Sequence, residues 1–370
     1  MPNISRALRL YAGPRAWRHL QQHGLRAHDV GIIPAAAGGP KGLILGPLDR
    51  FIFGQWLPQS AHAVHLVGAS IGAWRMATAC LSASVMAFER LERDYIAQHY
   101  PVQPGQRRPS AQQVSDQFGQ SLQAFYGGRV HEVLNNDRFH LHLLASRGHH
   151  LLAREGPLRT PLGYAAAFVL NALHRPALGH CLERVVFSST HHAQGQGTAV
   201  PLPFASDDFR THQVPLTQHN FMDALQASCS IPFALRAVQG IAGAPPGAYW
   251  DGGITDYHMH LHYQPPATAP IVLYPHFQKA VVPGWLDKAW KQRHRATPAL
   301  DAMLLLAPDP AWVSQLPNGK LPDRTDFTHY AQNLPERMAI WQTATAASQQ
   351  LADEFAQWLD KPDLSRVAPL

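Results

Sequence analysis

The sequence feature that most constrains the fold is the segment from Gly68 to Gly72, which reads G-A-S-I-G and has Ser70 at its centre. An apolar run at 64–67 precedes it, and apolar residues at helical spacing follow it as far as Phe88. A serine on a sharp strand-to-helix turn presents its hydroxyl group as a nucleophile, and the flanking glycines let backbone approach closely. Chance alone supplies this pattern in roughly one chain of this length in ten. Neighbouring segments must therefore support the assignment.

Composition permits a large globular protein. The 370 residues are 46% apolar and 15% charged, and α/β proteins of this length often form one domain. We expect a single domain over 1–370, with insertions or a cap at 101–135 and 157–180 and a C-terminal extension at 257–370. The 31 basic and 25 acidic residues are spread along the chain without a basic cluster. This distribution gives no indication of a nucleic-acid partner.

The cysteines and the apolar runs bear on the cellular compartment. Three cysteines without C-x-x-C spacing predict neither a disulfide framework nor a zinc site, which fits a reducing compartment. The first 20 residues lack the apolar run of a signal peptide, and no stretch has the roughly 18 apolar residues of a transmembrane helix. We expect a cytoplasmic protein and leave peripheral membrane contact open. The cysteines are Cys80, Cys181 and Cys229.

A glycine-bearing loop follows the first buried strand predicted, at 29–36. Gly38 and Gly39 can direct backbone N–H groups at an anion, and a helix running to about Phe53 begins just after them. Oxyanion donors, a phosphate cradle and a plain tight turn all fit this pattern. For Lys41 we favour a solvated position over contact with an anionic head group.

A carboxylate stands at the end of another short strand. Asp251 follows Tyr249 and Trp250 and is followed directly by Gly252 and Gly253. The glycine pair permits close backbone approach. An ordinary β-turn is the alternative interpretation of such a D-G-G segment.

Together, four segments resemble the patatin-like phospholipase family over about residues 29–256. They are the glycine loop, the serine turn, the A-S-C-S-I-P segment at 227–232 and the D-G-G segment. The resemblance implies an α/β fold, a three-layer α/β/α sandwich around a mostly parallel central sheet. It also implies a serine lipid acyl hydrolase that uses a Ser-Asp dyad without a cofactor, acting on a lipid or a small ester.

The resemblance assigns roles to individual positions. Ser70 is the nucleophile, Asp251 is the general base, and the amides of Gly38 and Gly39 form the oxyanion hole. The turn and the loops are supported by Gly68, Gly72, Lys41, Gly42, Gly252 and Gly253.

Two positions depart from the family pattern. Ala37 occupies the place of the first of three glycines, which is tolerable if that position needs only an N–H group and ordinary backbone angles. After the D-G-G segment, residues 254–258 replace a frequent asparagine-rich turn. This second departure affects the expected geometry of the substrate side of the site.

Two other functions fit the sequence. An α/β-hydrolase would use a Ser-Asp-His triad in this chain order, with His276 as the third member. A non-catalytic lipid-binding module on the same fold is the other alternative. The triad requires His276 or a downstream histidine for activity, whereas the dyad does not.

Several further patterns carry weaker predictions. His258, His260 and His262 alternate as they would on one face of a strand, yet histidines are frequent in this chain and we expect no metal. For the apolar segment 163–173 we favour core packing over a lipid-facing cap. Residues 328–359 have the spacing of one long amphipathic helix. Interfacial contact with lipid is left open for Trp285, Trp290 and Trp312.

Overall fold

A computed structural model describes residues 6–102, 105–106, 108–191 and 197–370. Within these ranges the largest sheet has eleven strands, and two short antiparallel pairs lie apart from it. The strands in chain order are β1 Leu8–Ala12, β2 Val30–Ala35, β3 Val64–Gly68, β4 Phe139–Gly148, β5 Leu182–Ser188, β6 Thr190–His191, β7 Thr198–Ala199, β8 Phe204–Ala205, β9 Thr211–Pro215, β10 Val238–Gln239, β11 Ala248–Asp251, β12 His262–Tyr263, β13 Ile271–Pro275, β14 Met303–Pro308 and β15 Val367–Pro369.

The large sheet is mixed and mostly parallel. Its order is β10-β11-β4-β3-β2-β13-β14-β1-β15, and β5 joins β4 and β9 beside this path. The run from β4 through β3, β2 and β13 to β14 is parallel throughout. β5 pairs antiparallel along the other edge of β4, whereas β11 pairs antiparallel with β4 beyond the end of β3, on the edge that β3 occupies. With its flanking helices the chain has an α/β fold, as the sequence predicts.

Buried apolar runs explain why the central strands form. Every residue of β2, β13 and β14 is buried, which is typical of parallel strands covered on both faces. The sequence predicted strands at 29–36, 138–146 and 184–189, and β2, β4 and β5 confirm them within two residues.

Helices connect and flank the strands. They are α1 Pro14–His23, α2 Gly46–Phe51, α3 Ile71–Ala79, α4 Ser84–Ala97, α5 Ala111–Tyr126, α6 Val130–Leu134, α7 Arg159–Leu173, α8 Phe221–Ser228, α9 Pro310–Val313, α10 Thr325–His329, α11 Leu334–Ala347 and α12 Gln349–Asp360. A 3-10 segment, Gly39–Leu45, comes before α2. None of the helices in the described ranges is both long and apolar enough to cross a membrane.

The prediction of one long helix at 328–359 was wrong. The chain forms α10, α11 and α12 instead, and the last two meet at Ser348. The hydroxyl group of Ser348 donates to the carbonyl oxygen of Thr345, 2.6 Å away. α11 packs against the 3-10 segment and α4, whereas α12 packs against α2 and β1. Apolar spacing continues through the break because both helices bury a face, but they bury it on different elements.

The prediction of core packing for 163–173 was wrong for one face of α7. Gly163, Tyr164, Ala167 and Asn171 are buried, but the opposite face is exposed. Large apolar side chains on that exposed face are Leu162, Phe168, Val169 and Leu173. Periodicity shows where the apolar residues are, but not whether anything covers them.

The main hydrophobic core draws residues from both ends of the chain. It includes Ala7 on the N-terminal side and Val367 near the C-terminus. α12 contributes Phe355 and Trp358 to the same core. The C-terminal third therefore packs on the sheet that carries the candidate site.

Candidate active site

Strand register brings Ser70 and Asp251 to the same edge of β4. β5 pairs with residues 142–148 of β4 along one edge, so β3 and β11 share the other edge. On that edge Gly68 of β3 pairs with Leu143, and Asp251 of β11 pairs with Ala145. Because β11 runs antiparallel to β4, its end at Asp251 approaches the end of β3, and Ser70 comes two residues after Gly68.

Ser70 occupies a strained turn. Its φ of 56° is positive, a conformation that costs a non-glycine residue about 1–3 kcal/mol. The turn ends β3 and begins α3, and it leaves Ser70 only 3% exposed. Positive φ at the serine is the geometry that the sequence pattern predicts for an exposed nucleophilic hydroxyl group on a strand-to-helix turn.

Glycine permits the close approach of α3 to β2. A Cβ atom on Gly72 would lie 2.1 Å from the carbonyl oxygen of Ala35, and one on Gly68 would lie 2.6 Å from the carbonyl oxygen of Gly72. α3 is also tied to α2 by a buried ion pair, in which Nε and Nη2 of Arg75 each donate to one Asp49 carboxylate oxygen at 2.7 Å. These contacts fix the backbone that carries Ser70.

Ser228 anchors the Ser70 backbone from another segment. The Ser70 amide donates to the carbonyl oxygen of Ser228 at 3.1 Å and to its hydroxyl oxygen at 3.0 Å. The Ser228 hydroxyl group donates in turn to the carbonyl oxygen of Leu144, 2.6 Å away. This serine belongs to the A-S-C-S-I-P segment, and the family resemblance assigns it no role.

Asp251 is a buried carboxylate with one oxygen held and one free. Oδ1 accepts a hydrogen bond from the Gly253 amide at 2.7 Å, whereas Oδ2 is buried without a partner of ordinary geometry among the described residues. Burial raises the pKa of Asp251, while Arg324 and the Ser70 hydroxyl group lower it. A carboxyl group with a raised pKa is a better proton acceptor, and catalytic hydrogen bonds are often long before substrate binds.

The loop after β2 presents two free amides beside the serine turn. Ala35 of β2 pairs with Gly68 of β3, so both loops leave the same edge of the sheet. Gly38 is the N-cap of the 3-10 segment and Gly39 its first residue, where N–H groups have no intrahelical acceptor. Neither amide donates a hydrogen bond within the described ranges. These are the donors expected for an oxyanion.

Both loop positions require glycine. A Cβ atom on Gly38 would lie 2.6 Å from Cε1 of Phe277, and Gly39 has a φ of +59°. The Ala37 amide donates to the carbonyl oxygen of Tyr257 at 2.9 Å. Ala37 therefore holds the loop in place and supplies no oxyanion donor.

The remaining predicted support residues also lie at close backbone contacts. A Cβ atom on Gly252 would lie 2.0 Å from the carbonyl oxygen of Leu144, and one on Gly253 would lie 2.5 Å from Cβ of Ala37. A Cβ atom on Gly42 would lie 3.0 Å from Ile71, in the serine turn. The glycines of the loop, of the turn and of the D-G-G segment thus pack against one another's segments.

Two small cavities adjoin the serine and the aspartate. One, of about 70 Å³, is lined by Ser70, Gly39 and Cys229. The other, of about 10 Å³, is lined by Asp251. Ile231 and Arg324 line both, so the two cavities share a wall. Nothing in the sequence pattern around residue 324 indicated that its side chain reaches this site.

Lys41 is half-buried, whereas the sequence favoured a solvated position. Its ammonium group lies 5.4 Å from the centre of the Phe277 ring, and burial lowers its pKa. The ammonium group of Lys288 lies 4.2 Å from the centre of the Tyr257 ring, beside the aspartate cavity. Burial, together with Arg324 and Lys41, lowers the pKa of Lys288 to about 8.

Histidines lie apart from the serine and the aspartate. His276 is fully buried against Tyr274, His258 and Phe277, and its Nδ1 lies 2.6 Å from the carbonyl oxygen of Gln278. Within the part of the chain that the structure describes, no histidine lines either cavity. This placement does not bring together the members of a Ser-Asp-His triad.

The three alternating histidines do not share a strand face. His258 is buried, His260 is half-buried and His262 is exposed, and only His262 belongs to a strand. Among the described residues no group of three or more potential ligands could hold a metal ion.

Comparisons with known proteins give little further information. No protein-family model and no curated protein matches the chain. Among solved structures it resembles human GIVD cytosolic phospholipase A2 with 12% sequence identity and a TM-score of 0.36. The match covers 94% of this chain and 62% of that protein. A likeness this low carries no argument about activity, so the function must be argued from the site.

Proposed function

We propose that the protein is a serine hydrolase of carboxylic esters with lipid acyl groups as substrates, and that it uses Ser70 and Asp251 as a catalytic dyad. The observation that carries the proposal is the common position of a strained serine, a buried carboxylate with one free oxygen and two free glycine amides. Three unrelated segments of the chain supply these groups. Acyl transfer requires a nucleophile, a base and oxyanion donors in this arrangement.

In the first step the Ser70 hydroxyl oxygen attacks the ester carbonyl carbon and its proton passes to Oδ2 of Asp251. The carbonyl oxygen becomes an oxyanion, which accepts hydrogen bonds from the amides of Gly38 and Gly39. The bond to the alcohol oxygen then breaks, and the leaving alcohol takes the proton from Asp251. The product of this half-reaction is an acyl ester of Ser70.

In the second step Asp251 accepts a proton from water as the water oxygen attacks the acyl ester. The tetrahedral oxyanion again faces the two glycine amides. Its collapse releases the carboxylic acid and returns the proton to Ser70. Asp251 thus acts as base and acid in both half-reactions, and its raised pKa suits both roles.

Substrate binding requires side chains at the site to move. The cavity beside Ser70 holds about 70 Å³, whereas pockets for small molecules hold roughly 300–1,000 Å³. The wall shared by the two cavities consists of Ile231 and Arg324, and Arg324 is exposed. Movement of this wall would join the space at the serine to the space at the aspartate.

A fluorophosphonate probe and a short-chain ester test the proposal together. The wild-type protein should be labelled and should hydrolyse the ester, whereas Ser70→Ala should show neither property. Asp251→Asn should lower kcat by roughly 100- to 10,000-fold, the usual contribution of a general base. His276→Asn should retain most of the activity if it stays folded.

Three results would contradict this proposal. Equal labelling of the wild type and Ser70→Ala would remove the nucleophile from the mechanism. Absence of turnover on esters of every acyl length, with intact folding, would favour the non-catalytic lipid-binding module. Loss of activity in a folded His276→Asn variant would favour a triad.

A further inference from the structure

Three cationic side chains surround the proposed catalytic groups. Arg324 lines both cavities, and its Nε would lie 3.1 Å from a Cβ atom on Gly39. Lys41 lies over the same Phe277 ring that faces Gly38. Lys288 lies over Tyr257, which lines the cavity at Asp251. Each cation is therefore next to a group that the proposed reaction uses.

These cations have no acidic partner of their own. Within the described ranges neither Arg324, Lys41 nor Lys288 forms an ion pair or donates a hydrogen bond to a carboxylate. The neighbouring acids are already occupied. Asp323 pairs with Lys320, and Asp287 pairs with Arg175 and Arg293. Asp251 is the carboxylate nearest to Arg324 and Lys288, and Lys41 adds a further positive charge beside Lys288.

The segments that carry Arg324 and Lys288 are fixed by their neighbours. Asp326, two residues after Arg324, accepts hydrogen bonds from Lys320 at 2.6 Å and from the Trp341 indole at 2.9 Å. Asp287, directly before Lys288, is completely buried in its ion pairs. The backbone of each cation is held, while its head group stays at the mouth of the site.

We propose that Arg324, Lys288 and Lys41 form an anion-binding subsite that selects esters carrying a phosphate or carboxylate group near the scissile bond. Like charges held together without a counterion repel one another, and an anionic substrate group relieves this repulsion. Arg324 can form paired hydrogen bonds to either oxyanion group, while the lysines act as point charges. The inference rests on the proposed ester hydrolysis and adds the charge of the substrate to it.

Esters that differ only in head group test the subsite. We would measure kcat/KM for decanoylglycerol, decanoylglycerol phosphate and decanoyl lactate, which are neutral, phosphorylated and carboxylated. The wild type should prefer at least one anionic ester by about tenfold or more, as expected for a charge-assisted hydrogen bond. Arg324→Gln and Lys288→Gln should each reduce that ratio about tenfold. The matched control Arg18→Gln removes an exposed charge from α1, which packs against β1 and β14.

The ratio of kcat/KM for an anionic ester to kcat/KM for the neutral ester distinguishes loss of anion binding from a general loss of activity. A wild-type ratio near one would overturn the subsite, and so would an Arg324→Gln variant that loses activity equally on all three esters. Preference for the phosphate ester alone would assign a phosphate group, and preference for the lactate ester alone would assign a carboxylate. Failure of Ser70 to react with fluorophosphonate would refute the hydrolase itself, independently of the ratio.

A second inference comes from the exposed apolar stripe of α7, which we define as Leu158, Leu162, Val169 and Leu173. Their spacings of four, seven and four residues place them on one helical face, and their exposures are 74%, 59%, 55% and 78%. No charged residue occurs from position 160 to 173. Scattered apolar residues on a surface need no explanation, but a continuous stripe marks an interaction surface.

The face of α7 opposite the stripe packs toward the proposed site, and the stripe has positive charge at its start. On the other face of α7 the Tyr164 ring lies 5.7 Å from those of Phe233 and Trp250, and Trp250 precedes Asp251. Phe233 is itself half exposed and follows a residue that lines the aspartate cavity. Arg154 and Arg159 are exposed at the N-terminal end of the helix. Apolar area edged by arginine is complementary to an anionic lipid surface.

We infer that the α7 stripe docks on an anionic lipid bilayer and places the site at the lipid–water boundary. A bilayer supplies the acyl substrates that the proposed function requires, and its anionic head groups complement the exposed Arg154 and Arg159. Co-sedimentation with phosphatidylcholine vesicles, with and without phosphatidylglycerol, measures the binding. The double variant Leu162→Ser/Leu173→Ser should partition at least about tenfold more weakly. The control is Met86→Ser, another exposed apolar residue, on α4.

Hydrolysis of a soluble ester by the double variant should match that of the wild type, which distinguishes loss of docking from loss of the enzyme. Equal sedimentation of the double variant and the wild type would refute the docking surface. So would absence of wild-type binding to either vesicle. If the wild type is a dimer and the double variant is a monomer, the stripe would be assigned to contact with a second copy of the chain instead.

Discussion

Replacement of Gly72 by alanine should disrupt the serine turn while leaving the proposed reacting groups in the chain. The new Cβ atom would lie 2.1 Å from the carbonyl oxygen of Ala35, whereas carbon and oxygen in contact are about 3.3 Å apart. α3 must therefore move away from β2 by roughly 3.3 − 2.1 ≈ 1.2 Å. The obstacle is backbone, so no side-chain rotation can relieve it.

A displacement of this size affects activity more than stability. Overpacking costs about 1–3 kcal/mol, and replacing glycine by alanine within a helix returns about 1 kcal/mol. The net decrease in the free energy of unfolding is therefore about 0–2 kcal/mol. A misplacement of about 1 Å at a reacting group costs roughly 100-fold in rate. We expect kcat/KM on a soluble ester, and the rate of fluorophosphonate labelling, to fall about 100-fold while the variant stays folded.

Gly179→Ala is the matched control, because its Cβ atom would lie 3.9 Å from Cε2 of Phe209 in ordinary contact. The assays are ester hydrolysis, probe labelling and urea unfolding on the wild type and both variants. If Gly72→Ala were as active as Gly179→Ala on the soluble ester, this would refute the idea that the close approach of α3 to β2 positions Ser70. Unfolding of Gly72→Ala at room temperature would show that the stability estimate is wrong.

Three further outcomes are expected. Burial raises the pKa of Asp251 above its ordinary 3.8, so activity on a neutral ester should fall as the pH drops through a value above 3.8. Because Arg324 lowers the pKa of Asp251, Arg324→Gln should move this acidic limb of the pH–rate profile to higher pH. Because the pKa of Lys288 is about 8, preference for the anionic ester should decrease as the pH rises through that value, and a constant ratio from pH 7 to 9 would contradict this. Asp49→Asn leaves a buried arginine unpaired and should cost about 3–5 kcal/mol in urea unfolding, whereas Asp94→Asn breaks an exposed pair and should cost under about 0.5 kcal/mol.

Local sequence patterns predicted the elements around the candidate site because their causes are local. A buried strand, a turn that needs glycine and a following helix each produce a recognisable sequence pattern within a few residues. The structure places Ser70 at such a turn and finds close backbone contacts at Gly72 and Gly252. Catalysis by Ser70 and Asp251 stays a prediction for the assays to test.

Features that depend on distant segments escaped the sequence analysis. Arg324 reaches the site from more than 250 positions beyond Ser70, and no pattern in its own segment marks it. The break at Ser348 leaves the apolar spacing intact, since α11 and α12 both bury a face. The exposed stripe of α7 has the composition of a core helix, and only its neighbours decide that it is uncovered.

By itself the sequence determined the α/β architecture, the strand-to-helix turn at Ser70 and the glycine positions beside it. These follow from hydrophobic periodicity and from the steric freedom of glycine, which act over a few residues. The tertiary structure alone decided which cations gather at the site and which apolar face stays exposed. Those outcomes depend on strand register and packing between segments far apart in the chain, because charge and burial are set by spatial neighbours.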